Sequence, residues 1–274
     1  MNKIRIIPTV LYRNNIAVRG KKFNSWRVSG SLLQTIRLYS LREIDELIFL
    51  DISATQKKEI NFKVIDEFAD ECFMPITVGG GIRSLTDIEE LFKVGADRVC
   101  INTQAFKNPN FIKNAIKTFG AQSIIVSVDY KLIDSKFYVF INSGSINTNI
   151  ELKDYLKKIE EIGIKEVMLT SIDHDGMMRG YDIKNISNAN INYNFKLIAS
   201  GGAGSQKDVL DLLLASHVDA ISCSSIFTFI RSVSSGSFLL KSSYFKKVTL
   251  PERICIFTKS TSSMSPYNCT AQPM

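Results

Sequence analysis

The sequence is poor in the residues from which metal and redox sites are built. It has two histidines, His174 and His217, well apart in the chain. His174 lies between Asp173 and Asp175, but three consecutive side chains do not converge on one ion, so no metal is expected. The five cysteines (Cys72, Cys100, Cys223, Cys255, Cys269) are odd in number and include no CxxC pair. That excludes a zinc ribbon or a disulfide framework and fits reduced thiols in a cytoplasmic protein. No apolar run approaches the roughly 20 residues that span a bilayer, so no membrane contact is expected. Lys3, Arg5 and Arg13 break up the pattern of a signal peptide.

A nucleic-acid binder is excluded by where the charge lies. The net charge is +7, yet six basic residues and one acid (Glu252) sit from Phe229 onward. The preceding 228 residues hold 28 bases and 26 acids, too even a balance for a polyanion surface. A few bases near a binding loop still suit a small anionic substrate. The length of 274 residues and the 45% apolar content suit one large or two small globular domains.

What is present is a glycine cradle, and it occurs twice. Val78-Gly79-Gly80-Gly81-Ile82-Arg83-Ser84 ends an apolar run and opens a helical pattern, with Asp87 placed to form a capping box with Ser84. Glycines admit a ligand close to the backbone, and a helix start favours an anion, so the stretch outlines a phosphate site. Ala199 to Ser205, followed by Asp208, repeats it 121 residues later. Ile101 to Phe106 recurs loosely as Ser222 to Phe227 at the same offset, and Asp51 recurs as Asp173 at 122. A near-constant offset over three motifs indicates an internal duplication, with one phosphate cradle in each half.

Eight short β-branched runs are predicted as strands: residues 4–10, 46–52, 75–79, 97–101, 123–129, 166–171, 195–200 and 219–223. Helical patterns fall at about 30–44, 60–71, 84–94, 108–118, 151–162, 182–188 and 205–215. Alternating strands and helices with a half-chain repeat predict a (β/α)8 TIM barrel with internal half-barrel duplication, an open doubly wound sheet being second. The barrel is placed at residues 1–230. Residues 231–274 form a divergent C-terminal segment, with a poor last helix at 237–248 and disorder expected over roughly 255–274.

Barrel active sites lie at the C-terminal strand ends. Those ends carry Asp51, Gly80, Gly81, Asn102, Thr103, Asp129, Asp173, Asp175, Gly176, Ser200, Gly201, Gly202, Ser224 and Ser225. Asp51 and Asp173 are expected to orient a ligand, or else to cap the segments that follow them. At the strand starts lie Arg5, Glu46, Arg98 and Glu166, two bases and two acids that form either a charged ring or ordinary rim salt bridges.

The stretches Arg5-Ile6-Ile7-Pro8, Asp45 to Ile52, Thr77 to Ser84, Gly95-Ala96-Asp97, Ile101-Asn102-Thr103, Leu169 to Asp173, Asp175-Gly176, Gly180-Tyr181-Asp182 and Ala199 to Ser205 together resemble the HisF family, the cyclase subunit of imidazole glycerol phosphate synthase in histidine biosynthesis. The resemblance covers about residues 3–230. The sister isomerase of that pathway shares the cradles but lacks the pattern Thr170-Ser171-Ile172-Asp173-x-Asp175-Gly176. The resemblance implies a lyase-type, ammonia-dependent enzyme that needs no cofactor. Ammonia would come from a HisH-like glutaminase docked at the barrel bottom, through a gate of Arg5, Glu46, Arg98 and Glu166, with Thr77 lining the channel. It implies a bis-phosphate substrate held by Gly80, Gly81, Asn102 and Thr103 at one end and by Asp175, Gly176, Gly201, Gly202, Ser224 and Ser225 at the other. Arg19, Asp51, Thr170, Asp173 and Ser200 would orient it, with Asp129 catalytic.

One departure concerns the chemistry. The family closes strand one with a second catalytic aspartate, and this chain has Leu11. Leucine transfers no proton. Arg98 and Arg19 also stand where the family has lysine. These departures resemble the WbuZ-like paralogues of surface-polysaccharide clusters, whose implied role is to pass ammonia for sugar amidation, with a sugar-nucleotide acceptor and a separate amidotransferase. Leu11 favours that role over the cyclase. A non-catalytic docking barrel that activates its glutaminase is the third reading.

Overall fold

The computed structural model describes residues 4–41 and 44–225. The expected last helix, the boundary at 230/231 and the expected disordered tail lie outside the described residues. In chain order the elements are β1 (Arg5–Arg13), β2 (Ile16–Lys21), β3 (Asn24–Gly30), α1 (Leu32–Leu41), β4 (Leu47–Asp51), α2 (Ala54–Lys57), α3 (Phe62–Ala69), β5 (Ile76–Gly79), α4 (Leu85–Lys93), β6 (Arg98–Ile101), α5 (Thr103–Lys107) and α6 (Pro109–Phe119). They continue with β7 (Ile124–Ile133), β8 (Lys136–Ile141), β9 (Ile146–Glu151), α7 (Leu152–Ile162), β10 (Glu166–Ser171), α8 (Ile183–Asn192), β11 (Lys196–Ser200), α9 (Gln206–Ala215) and β12 (Ala220–Cys223). The strands β1, β4, β5, β6, β7, β10, β11 and β12 pair in parallel in that order, and β12 pairs β1 to close an eight-stranded barrel.

Strand alternation sorts the side chains into two cores. Ile7, Ile48, Cys100, Ile125, Met168, Ile198 and Ala220 point inward and form a small cluster inside the barrel. Their outward neighbours, among them Ile6, Leu47, Phe49, Val99, Val126, Val167, Leu197 and Ile221, pack under the helices in the main core. Phe49 shows the outer packing: its ring lies 4.7 Å from Phe68 of α3 and 5.4 Å from Tyr12. Full burial of one such side chain stabilises by about 1.5–3 kcal/mol.

The two halves repeat in detail. Ser84 and Ser205 both form capping boxes, at α4 with Asp87 and at α9 with Asp208. Asp97 accepts from Ile76 N–H at 2.7 Å, and Asp219 accepts from Leu197 N–H at 3.0 Å. Each of these aspartates ties the start of one strand to the next.

The structure corrects the sequence reading at several element boundaries. It ends strand one at Val10 and strand five at Asp129, whereas β1 continues to Arg13 and β7 to Ile133. Each extension folds back, β1 onto β2 and β3, and β7 onto β8 and β9. The short helices α2 and α5 also lie outside the predicted set. The helix expected to end near 188 runs on to Asn192, capped at its start by Asp182.

Candidate active site

Inward positions at the C-terminal strand ends open into a cavity of about 570 Å³. Both cradles line it. On the first side are Gly80, Gly81, Asn102 and Thr103, and on the second are Asp175, Gly176, Gly201, Gly202, Ser224 and Ser225. Gly80 has φ +111°, and a Cβ there would lie 2.2 Å from the Asp51 carbonyl oxygen. Gly202 has φ +116°, and a Cβ there would lie 2.1 Å from the Gly180 carbonyl oxygen. No other residue fits either place, so both turns depend on glycine. Lys58, Arg83 and Lys107 stand at the cavity wall.

The floor is polar and buried. Asp129 is 7% exposed. It accepts from Asn102 Nδ2 at 3.2 Å and from Ser127 Oγ at 3.3 Å. Thr9 Oγ1 and Ser222 Oγ meet at 2.5 Å. Burial pushes the Asp129 carboxyl up to about 7; Asp175 raises it further, while hydrogen bonds from Ser127 and Thr170 oppose the rise. Burial likewise lifts Asp175 to about 6, against a hydrogen bond from Phe23 N–H. Leu11 lines the same cavity, paired with Leu50 of β4, so the first strand brings no carboxylate to it.

These shifts have a sign for stability. A carboxyl whose folded value lies above its unfolded value of about 4 holds its proton longer when folded. The folded state therefore loses stability as pH rises from about 4 to about 7. Urea unfolding across that range is expected to show the fall, and Asp129→Asn to flatten it.

Thr170, Ser200 and Asp51 line the cavity. Asp51 is committed locally: its Oδ1 accepts from Ser53 N–H, Ser53 Oγ and Ala54 N–H at 2.9, 2.7 and 3.1 Å. Three expected site residues stand elsewhere or are engaged. Asp173 is not among the lining residues; its carboxylate accepts from Leu132 N–H at 2.9 Å and braces the β7 extension. Arg19 is not among them either; it lies on β2, where burial lowers its pKa and the Tyr39 hydroxyl is its hydrogen-bond partner. Asp175 donates its N–H to the Ser171 carbonyl at 3.0 Å, and so has no backbone donor for a phosphate.

The sequence reading misses the hairpins over the mouth. Phe23 and Trp26 from the β2–β3 hairpin, and Asn142, Ser143 and Ile146 from the β8–β9 connection, line the cavity. Lys22 N–H donates to the Asp175 carbonyl at 2.8 Å, and Ser143 Oγ donates to the Ile52 carbonyl at 3.0 Å. The pairs Asn14-Asn15 and Asp134-Ser135, all at positive φ, are the turn signals that could have revealed both strand extensions. Lys22-Phe23 carries no such signal.

At the opposite mouth, four charges close a ring. Arg5 bonds Glu46 at 2.9 Å and also Glu166; Arg98 bonds Glu166 at 2.5 Å and also Glu46. Thr77 Oγ1 adds a bond to Glu46 at 3.3 Å. Burial lowers the pKa of Arg98 despite its carboxylate neighbours. Among the described residues no group of three or more His, Cys, Asp or Glu is arranged to hold a metal, and no helix is long and apolar enough to cross a membrane.

Comparison with known proteins gives a consistent result. Residues 5–231 match the family model described as histidine biosynthesis protein. The imidazole glycerol phosphate synthase subunit HisF of Natranaerobius thermophilus is 38% identical over 226 residues, covering 82% of this chain and 90% of that protein. The subunit of the same name from Dictyoglomus thermophilum is 40% identical over 228 residues, with the same coverage. That from Hydrogenobaculum sp. is 38% identical over 227 residues, again covering 82% and 90%.

Proposed function

Because this chain belongs to the histidine biosynthesis protein family, among the HisF barrels, we propose that it is an ammonia-using synthase subunit of the imidazole glycerol phosphate synthase cyclase type. One observation carries the reading: a single barrel has a two-cradle cavity with a buried carboxylate at one mouth and a closed ring of four charges at the other. Between them lies the apolar lining of Ile7, Ile48, Cys100, Ile125, Met168, Ile198 and Ala220. Such a lining suits neutral ammonia and disfavours ammonium, which pays a large desolvation cost there. In this reading the ring admits ammonia from a HisH-like glutaminase, with Thr77 next along the path. The cradles hold the two phosphates of the substrate, Thr170 and Ser200 orient it, and Asp129 moves a proton at the reacting atoms.

The ring face also suits a docked partner. Leu41, Phe73, Ile191 and Leu214 are exposed by 83, 90, 78 and 65%. Each lies at or just beyond the C-terminal end of a helix, and therefore on the side of the barrel where the strands begin. Four large apolar side chains on the face of the ring fit a protein interface.

Leu11 favours a second acceptor. If the cyclase reaction needs an aspartate on the first strand, the ammonia goes instead to a sugar nucleotide through a separate amidotransferase, the cradles being retained from the parent fold. The test bypasses the partner. Purified protein is mixed with the family's bis-phosphate ribonucleotide and free ammonium, and substrate loss is followed by absorbance. Turnover is the expected result. Binding without turnover would move the acceptor to the sugar. Neither binding nor turnover would sink the cyclase-type reading.

A further inference from the structure

Ring-forming chemistry with ammonia needs one group to give a proton and another to take one, and Leu11 can do neither. We propose that Asp175 supplies this second proton-transfer group, paired with Asp129 across the cavity floor. The inference rests on the ammonia-using reading above.

Asp175 lines the same cavity as Asp129 and Leu11. Its carboxylate is used on one side only. One oxygen takes the Phe23 N–H, while Oδ2 is buried with no hydrogen-bond partner. Buried carboxylate oxygens are nearly always satisfied, so an orphan beside a ligand cavity calls for a donor from the ligand. A purely structural role does not account for Oδ2. The hairpin is already held by the Asp175 carbonyl, through Lys22 N–H, and by the other carboxylate oxygen.

The charge environment suits a shared proton. Asn102 and Ser127 bond Asp129, Thr170 and Asp175 also act on it, and Cys100 and Tyr155 feel its charge. Only the Phe23 N–H is bonded to the Asp175 carboxylate. No cation is among these groups. Burial raises both carboxyls, Asp129 to about 7 and Asp175 to about 6, so near neutral pH one can hold a proton while the other is free to accept one.

The step balances. The nitrogen lone pair of ammonia forms a C–N bond to a carbonyl carbon of the substrate. The C=O π pair moves to oxygen, which takes the proton of the protonated carboxyl. The nitrogen, now carrying one proton too many, gives it to the other carboxylate. The product is a carbinolamine, and the pair has exchanged one proton without net loss.

Asp175→Asn tests this cleanly. The amide oxygen can keep the Phe23 N–H, so the hairpin latch survives, and only Oδ2 becomes a group that cannot accept a proton. Ammonium-dependent turnover of the family's bis-phosphate ribonucleotide is expected to fall by about 10²-fold or more. Affinity for that compound, read from the fluorescence of Trp26, the single tryptophan, is expected to change by less than about threefold, a small term beside the catalytic loss. The double variant Leu11→Asp/Asp175→Asn should recover at least about tenfold, and the pH–rate profile of Asp175→Asn should lose one limb. An Asp175→Asn protein that turns over normally, or that loses binding as much as turnover, would overturn the role of Asp175 alone. A wild-type protein that binds the ribonucleotide but never consumes it with ammonium would overturn both this role and the cyclase-type reading beneath it.

Discussion

Asp129→Asn is expected to lower ammonium-dependent turnover by about 10²–10⁴-fold while leaving the protein at least as stable at neutral pH. The two effects have one cause. Asp129 ends the inward row Ile125, Ser127, Asp129 of β7, at the point where the barrel opens into the cavity. It is buried, held by Asn102 and Ser127, and raised toward neutrality by burial and by Asp175. A group in that state suits proton transfer near pH 7, and it costs the fold stability whenever it is ionised. Asparagine has the same shape and can still accept from Asn102, but it carries no charge and transfers no proton. Steady-state rates with ammonium, together with urea midpoints at pH 8, check both parts. Retained activity would remove Asp129 from the mechanism. Lost activity accompanied by a lower midpoint would mean that the carboxylate is structural.

The barrel is legible in the sequence because its inward and outward rows have opposite demands. Inward rows such as Arg5, Ile7, Thr9 or Glu166, Met168, Thr170 run from charge through apolar to polar. The outward rows are mainly apolar, and the helices between them have ordinary helical spacing. The capping boxes at Ser84 and Ser205 are local signals, which is why the duplication can be read without a structure. The hairpins are harder to see. Neither β3 nor β9 fully buries a residue, so apolar alternation, the main strand signal, is weak in them. Asp51 and Asp173 are equivalent by position in the repeat but not in use: one caps the turn after its own strand, and the other braces the extension of β7. Asp175 shows a similar limit. Its place beside Gly176 suggests a phosphate turn, but only the folded chain shows its N–H spent on Ser171 and one carboxylate oxygen left over.

Glu166→Ala is expected to cost about 3 kcal/mol of folding stability and to uncouple the two sources of ammonia. Glu166 is 7% exposed and accepts from both Arg5 and Arg98. Without it, two guanidinium groups share Glu46 alone and face each other across the gap. Breaking a buried ion pair from one side costs about 3–5 kcal/mol in general. The lower end applies here, because the Arg5 and Arg98 side chains keep 28 and 16% of their surface and can recover some water. Glu166→Gln keeps the hydrogen bonds and should lose less. The functional effect separates a gate from a structural rim. Ammonium in solution can enter the cavity from the open top, so turnover fed with ammonium should persist in protein that remains folded. If the ring is the gate, turnover fed by glutamine through a HisH-like partner passes there, and it should change far more. Equal loss from both sources would mean that the ring only holds the barrel together. No change in either, with stability also unaffected, would mean that the four charges are an ordinary rim network with no part in ammonia transfer.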